Sequence, residues 1–351
     1  MHRRSLPRTQ LWVTVGALAA LLPACSLEES NFSQYPGFSR YLESRPPAET
    51  AASEHERAWL RAHRPVVFVA DDEPGPISFY GDYIPEGSLR DGDGERVSES
   101  VDRALLNAHR ADPQAVFTHT GEPDGGTPVV PARVDRAQLQ LPGMDVAVEA
   151  VFLSYNLVFR QSGIGTGIPG WQRLALDLVG DTRDWHQLDH YAAVTLTLVP
   201  ERGVDADAAA ADELIPVAAT MQQHNYMRTY VIAADADRAA DHPGLVSLTD
   251  GRVAVDVAER SHALFPHAPE RRRHRAVRFL EADTAAYLVS GEDPPWIAGD
   301  DITDPARRVD YELTFLPPAD AFYLFRGWLG ERRRMPGRDG PPGAFYNTVP
   351  S

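Results

Sequence analysis

Between Tyr191 and Val199 the side chains alternate, with Val194, Leu196 and Leu198 on one parity and Thr195 and Thr197 on the other. A period of two marks a half-buried β-strand, because successive side chains leave the backbone on opposite faces. The pattern returns at Arg252 to Ala258, with Val253, Val255 and Val257 inward. It returns again at Val309 to Leu316, where Tyr311, Leu313 and Phe315 alternate with Asp310, Glu312 and Thr314. Val148 to Phe159 and Met227 to Ala233 are further strand candidates, and Val66 to Ala70 is a short apolar run of the fully buried kind. Alternating strands joined by polar loops predict a mainly β chain with a few helices, an α+β fold built as an antiparallel β-sandwich rather than a doubly wound sheet.

The same reading places the helices and turns. Thr50 to His63 predicts a helix with Ala52, Ala58, Trp59 and Ala62 as its apolar stripe and Pro65 as its stop. Ser98 is expected to cap a second helix reaching about Ala111, with Val101, Ala104, Leu105 and Ala108 inward. Asp91 to Glu95 has the opening of a calcium-binding loop, but Arg96 stands where the sharp turn needs glycine and Asp102 occupies the twelfth position, so it reads as a turn. Gly165, Gly167 and Gly170 have the spacing of a dinucleotide fingerprint, yet no long helix and parallel strand clearly follow, so they read as a loop. Asp71-Asp72-Glu73-Pro74 reads as a solvated turn, Asp205 to Ala211 as a linker or short helix, and Asp300, Asp301 and Asp304 as a solvent-facing loop.

At the N-terminus Arg3, Arg4 and Arg8 precede the apolar run Leu11 to Leu22, which ends in Leu22-Pro23-Ala24-Cys25. This order of charged, apolar and small residues predicts a signal peptide over residues 1–24. The apolar run is shorter than the about 20 residues that span a bilayer. Its end resembles a bacterial lipobox, which makes Cys25 the expected lipidation site and residues 25–48, with Pro36, Pro46 and Pro47, a flexible tether. Ser26 stands where an aspartate would resemble an inner-membrane retention signal. The expected location is therefore the bacterial cell envelope, lipid-anchored in the outer membrane and facing the periplasm.

Composition then removes several chemistries. Cys25 is the only cysteine, so the chain has no intramolecular disulfide, no Cys-ligated zinc and no Cys nucleophile. All 34 basic residues are arginine, which excludes Schiff-base chemistry and a phosphate-binding P-loop lysine. The formal charge of −16, or −19 once Arg3, Arg4 and Arg8 leave with the signal peptide, repels nucleic acid and attracts cations.

The densest run of chemically capable side chains is Gly180-Asp181-Thr182-Arg183-Asp184-Trp185-His186-Gln187-Leu188-Asp189-His190-Tyr191. On an extended strand, Asp184, His186 and His190 share one face and Trp185 anchors the other; neighbours on that face stand about 6.6 Å apart, close enough to converge on one ion. His224 and His262 are candidate partners from distant segments. Ser261 beside His262 suggests a nucleophile and its base, but adjacent residues on a strand point to opposite faces, so facing the central cluster is the better role for His262.

Three segments in order, Gly180 to His190, Gln222 to Asn225 and Arg252 to Pro266, resemble the vacuolar protein sorting-associated protein 62-like family. Pro65 to Pro74 resembles that family's opening strand and Asp-Glu-Pro turn; Phe325 to Gly330 and Gly340 to Gly343 resemble its closing segments. The similarity covers about residues 60 to 345, which favours one domain over 49–351. The central segment is also similar to the Gly-His-Arg-His-Asp-Trp-Glu heptapeptide of necrosis-inducing secreted proteins, which have a β-sandwich and hold a divalent cation beside a sugar headgroup. By position, Asp181 stands at the first His of that heptapeptide, Asp184 at its Asp and His186 at its Glu. The resemblance thus implies metal ligation by Asp181, Asp184 and His186, with His190, His224 and His262 as possible partners. Exchange of a carboxylate for imidazole moves the preference from calcium towards manganese, iron or zinc. The expected role is binding of a divalent cation and a glycan or lipid headgroup; the alternatives are a metal-dependent hydrolase of envelope phosphoesters or polysaccharide, and a purely structural envelope protein.

Overall fold

The computed structural model describes residues 50–71, 73–85, 87–119, 125–140, 147–160, 189–223, 226–233, 245–260, 262–267 and 306–330. Among them the chain is mainly β with a few short helices, as the alternating runs predict. Helix α1 (Glu54–Ala62) begins at Ser53, whose hydroxyl accepts from the Glu56 N–H while Glu56 accepts from the Ser53 N–H, a reciprocal capping box. The helix buries Trp59 and Leu60, and the indole N–H of Trp59 donates to the Ala209 carbonyl at 2.8 Å. Pro65 then releases the chain into β1 (Val66–Ala70).

A small sheet forms around β1, which pairs in parallel with β12 (Arg252–Val257) and antiparallel with β14 (Ala306–Val309). On the far side, β12 pairs with β11 (Leu248–Thr249) and β13 (Leu264–Pro266). Asp250 and Gly251 join β11 to β12 with both φ angles positive, 51° and 74°, the two-residue turn that matches strand twist. The large sheet carries the long strands β5 (Val129–Gln140), β6 (Ala147–Phe159), β7 (Asp189–Pro200), β8 (Leu214–Gln223) and β9 (Tyr226–Ile232), each antiparallel to the next in this series. Its edges are parallel additions, β10 (Leu245–Val246) on β9 and β15 (Glu312–Phe315) on β5. A third sheet runs β16 (Trp328–Leu329), β4 (Val116–His119), β2 (Gly87–Arg90), β3 (Arg96–Ser98). Pairing is therefore mixed, and the antiparallel expectation holds for the long strands of the large sheet.

Two cores flank the large sheet. The first joins Val67 and Val69, Val253, Val255 and Val257 to Val151, Leu153, Tyr155, Val194, Leu196 and Leu198, with Trp59 and Leu60 of α1. Each large side chain so buried contributes roughly 1.5–3 kcal/mol. The second gathers Phe79 and Tyr83 of a π-helical turn (Phe79–Tyr83), Leu89, Phe117, Leu106 of α2 (Arg103–Ala108) and Phe322 of α3 (Ala321–Leu324).

Several expectations change. The run Val309 to Leu316 is not one strand: Ala306–Val309 pairs with β1, whereas Glu312–Phe315 pairs with β5, so the chain changes sheets at Asp310 and Tyr311. Tyr311 pins the crossing, donating its phenol to the Pro65 carbonyl at 2.6 Å. Ser98 ends β3 instead of capping a helix; Asp102 caps α2 by accepting from the Leu105 N–H, and Leu106 rather than Ala104 or Ala108 is buried. Asp91 to Glu95, by contrast, is the expected turn, here between β2 and β3 and closed by Asp91 Oδ1 accepting from the Asp93 and Glu95 N–H groups. Thr195 and Thr197, expected on a solvated face, are buried.

Two outcomes follow from these contacts. Burial opposes ionisation of Glu56, but the Ser53 hydrogen bonds and the Arg136 guanidinium outweigh it and hold the carboxyl below its ordinary 4.5. Its stabilisation is therefore complete above about pH 4.5 and disappears as pH falls through the depressed folded value. Glu56→Gln should cost on the order of 1 kcal/mol at pH 7, and urea titrations should find the two proteins converging in acid. At Gly327 a Cβ would meet the Ala115 carbonyl oxygen at 2.4 Å and the Phe325 ring at 2.7 Å, beside the Trp328 N–H bond to that same carbonyl. Backbone cannot give way as a side chain can, so Gly327→Ala should lower denaturant stability by roughly 1–3 kcal/mol.

Candidate functional site

Because β1 and β12 are parallel, the turns leaving their carboxyl ends emerge together, and these turns carry Glu73 and His262. Glu73 follows a turn closed by its N–H on the Ala70 carbonyl at 3.1 Å, and Arg307 of β14 donates to its carbonyl at 3.0 Å. The chain then reaches Ile77, whose N–H bonds the Val158 carbonyl at 2.7 Å near the end of β6. On the other side, the His262 N–H bonds the Ala258 carbonyl at 3.1 Å, and Ala258 donates to Ala263 at 2.9 Å. Arg260 and His262 both have left-handed backbones, φ 60° and 55°, conformations that cost non-glycine residues on the order of 1 kcal/mol each.

This strained turn holds the His262 ring in a fixed place. It is 4% exposed, lies 4.0 Å from the Phe159 ring at an interplanar angle of 7°, and puts Nε2 3.2 Å from Glu73 Oε1. Burial would raise the Glu73 carboxyl, but the His262 hydrogen bond and charge, then the Arg260 N–H and guanidinium, hold it below the usual carboxylate range. An ionised carboxylate only accepts, so Nε2 carries the proton and, in the neutral imidazole, Nδ1 carries the lone pair. Nδ1 is buried and meets no hydrogen-bond partner among the described residues. Phe159 pairs across the sheet with Asp189, the first residue of β7, so the ring sits where the Gly180 to Tyr191 stretch joins the large sheet.

A second carboxylate–imidazole pair lies on the outer face of the small sheet. Asp256 alternates away from the valines of β12, as its parity requires, yet it is buried against His267, Oδ1 to Nδ1 2.7 Å. The His267 ring stacks on Phe68 at 4.1 Å, and Phe68 is the register partner of Asp256.

Of the residues expected at the site, Asp181, Asp184, His186 and His224 lie outside the described residues, as do Cys25, Ser261 and Gly163 to Gly170; of His190 only the backbone, in β7, is described. His262 is brought to a carboxylate, but from a turn between β12 and β13 and not from a strand, so the opposite-face argument separating it from Ser261 does not apply. Glu73, read as part of a solvated turn, is instead the partner of His262. The signal for it was three acids closing a buried strand in an Asp-Glu-Pro turn. Phe159 carried no signal beyond its place at a strand end. Among the described residues no three His, Cys, Asp or Glu side chains converge as a metal site, and no helix is long and apolar enough to cross a membrane. Comparison of the chain with family models, curated proteins and solved structures finds no match.

Removing the carboxylate leaves a buried imidazole N–H without its acceptor. Glu73→Ala should therefore lower stability by about 1–3 kcal/mol, and Glu73→Gln, which still accepts through its amide oxygen, by less. Chemical denaturation of the three proteins at pH 7 checks the order.

Proposed function

We propose that the chain is an envelope-anchored lipoprotein, held through Cys25, whose folded domain binds a divalent cation and through it a glycan or lipid headgroup. One observation carries the cation reading: His262 is fixed through Nε2 by the Glu73 carboxylate while its buried Nδ1 is unpartnered among the described residues. Metal-bound histidines almost always give their second ring N–H to a carboxylate or carbonyl, which sets the tautomer and makes the ligating nitrogen more basic. Glu73 stands in that relation to His262. Asp181, Asp184 and His186 precede β7 by a few residues in the chain, and β7 begins opposite the phenylalanine on which His262 stacks. Those carboxylate and imidazole donors suit manganese, iron or zinc better than calcium. The bound ion supplies a positive centre for hydroxyl or phosphate oxygens. The resemblance to the vacuolar protein sorting-associated protein 62-like family, and more distantly to necrosis-inducing secreted proteins, supports the same assignment.

The pair favours a second reading as well. An imidazole oriented by a buried carboxylate is the arrangement of a general base, so the same residues suit hydrolysis of envelope phosphoesters or polysaccharide. Turnover separates the two.

Metal content of the purified full chain, measured by mass spectrometry beside Asp184→Ala, His186→Ala and His262→Ala, tests the proposal. The expected result is about one ion per chain, lost in each variant while circular dichroism is unchanged, with Glu73→Gln binding about 10–100-fold more weakly. A parent protein that takes up no manganese, zinc or calcium removes the cation site and leaves a structural or metal-free binding protein of the envelope. Metal-dependent product release that disappears in His262→Ala decides for the hydrolase.

A further inference from the structure

On the second core, sharing no residue with the Glu73–His262 pair, a cleft of about 440 Å³ opens between α2 and the turn that leads into α3. Arg103 and Asn107 lie one helical turn apart on α2 and Arg110 follows just past its end, so the three line one wall; Pro317, Ala319, Asp320 and Ala321 line the other. We propose that this cleft binds a small ligand through an oxyanion, a carboxylate or a phosphate, clamped between the guanidinium groups of Arg103 and Arg110.

Both guanidiniums are held in place before any ligand arrives. Arg103 pairs with Asp320 and lies over the Tyr80 ring, 5.0 Å from its centre. Asp320 is 1% exposed at its side chain, and both of its oxygens are engaged: Oδ1 accepts from the Tyr80 phenol and the Phe322 N–H, and Oδ2 accepts from Arg103. Burial first, then the Asp320 charge, raise the Tyr80 phenol far above its ordinary range, so it remains a donor. Arg110 donates to Asn107 Oδ1 at 2.5 Å and to the Ala319 carbonyl at 3.3 Å.

These contacts use few of the ten N–H donors that two guanidinium forks present. The rest remain, on an Arg103 side chain that is 54% exposed and on Arg110 further along the same wall. The one carboxylate lining the cleft is neutralised by Arg103, so Arg110 leaves a local positive excess in a protein of charge −16. A guanidinium matches carboxylate and phosphate with paired N–H groups, and rigid placement lowers the entropy lost on binding. The small side chains of Ala104, Ala319 and Ala321 leave room for the ligand body, and the volume falls in the range of small-molecule sites.

The test is titration calorimetry of the full chain with inorganic phosphate and, separately, succinate, at constant ionic strength set with sodium chloride. Saturable binding in about the millimolar range or tighter is expected for at least one, weakened about tenfold in Arg110→Gln and Asn107→Ala but unchanged in Arg202→Gln, which removes a charge from an exposed turn elsewhere. Phosphate binding the more tightly assigns a phosphorylated ligand; succinate, a carboxylate. No saturation by either anion, or equal loss in Arg202→Gln, overturns the proposal. Unchanged melting temperatures in the variants tie any loss to the cleft rather than to the fold.

Discussion

The parallel ladder between β1 and β12 joins segments far apart in the chain, Val66 to Phe68 against Ala254 to Asp256. Its direction is what matters. An antiparallel pairing would send the two outgoing turns to opposite ends of the ladder, and Glu73 would never meet His262. Register matters as much, because a slip of one residue exchanges the faces. The valines of β12 prevent that slip: moving Asp256 into the first core would bury a carboxylate among Val151, Leu153 and Leu196 without a partner. Binary patterning thus fixes the geometry of a polar pair that lies beyond the end of the patterned strand.

What the fold does not require is the conformation of the turn. Joining β12 to β13 needs only a reversal of direction, yet this one holds two non-glycine residues at positive φ. The comparison within the same sheet is Asp256 and His267, also a carboxylate–imidazole pair stacked on an aromatic ring, made by a strand residue and the residue that follows β13, with no left-handed backbone at either position. The positive φ values of Arg260 and His262 accompany a buried Nδ1 of His262 that no described group uses, and strain that over-determines a polar side chain is characteristic of sites rather than of scaffolds.

The parts of this architecture legible in the sequence are those governed by local periodicity. Val194, Leu196 and Leu198 face the first core, as do Val253, Val255 and Val257, because alternation and burial on one face are the same physical statement. Alternation fails where two partners exchange. Tyr311, Leu313 and Phe315 keep one inward parity across the crossing, so the pattern runs on unbroken while the hydrogen bonds pass from β1 to β5. Capping is ambiguous for a related reason: Ser98 and Asp102 are both competent caps, and the pairing of β3 with β2, which no local signal reports, decides between them. Glu73 carried a signal as one of three acids at a strand end, but its role was not legible because its partner is a histidine brought from far along the chain.

Thr195 and Thr197 mislead for a different reason. A polar parity normally faces water, but here the second face of the large sheet is also covered, and a polar face can be buried only if its groups satisfy one another. In register across the sheet run Arg133, Ser154, Thr195, Thr220 and Thr229. Ser154 and Thr195 share a hydrogen bond at 3.0 Å, Thr220 and Thr229 one at 2.8 Å, and Arg133 pairs with Asp135 at 2.7 Å. Hydroxyl groups suit such a rung because each both donates and accepts. At its end, Arg133 lies over the Tyr323 ring, 4.8 Å from the centre, and Tyr323 belongs to α3, whose cap is Asp320. The polar rung therefore meets the second core at Tyr323, in the same short helix whose cap carboxylate, Asp320, holds Arg103.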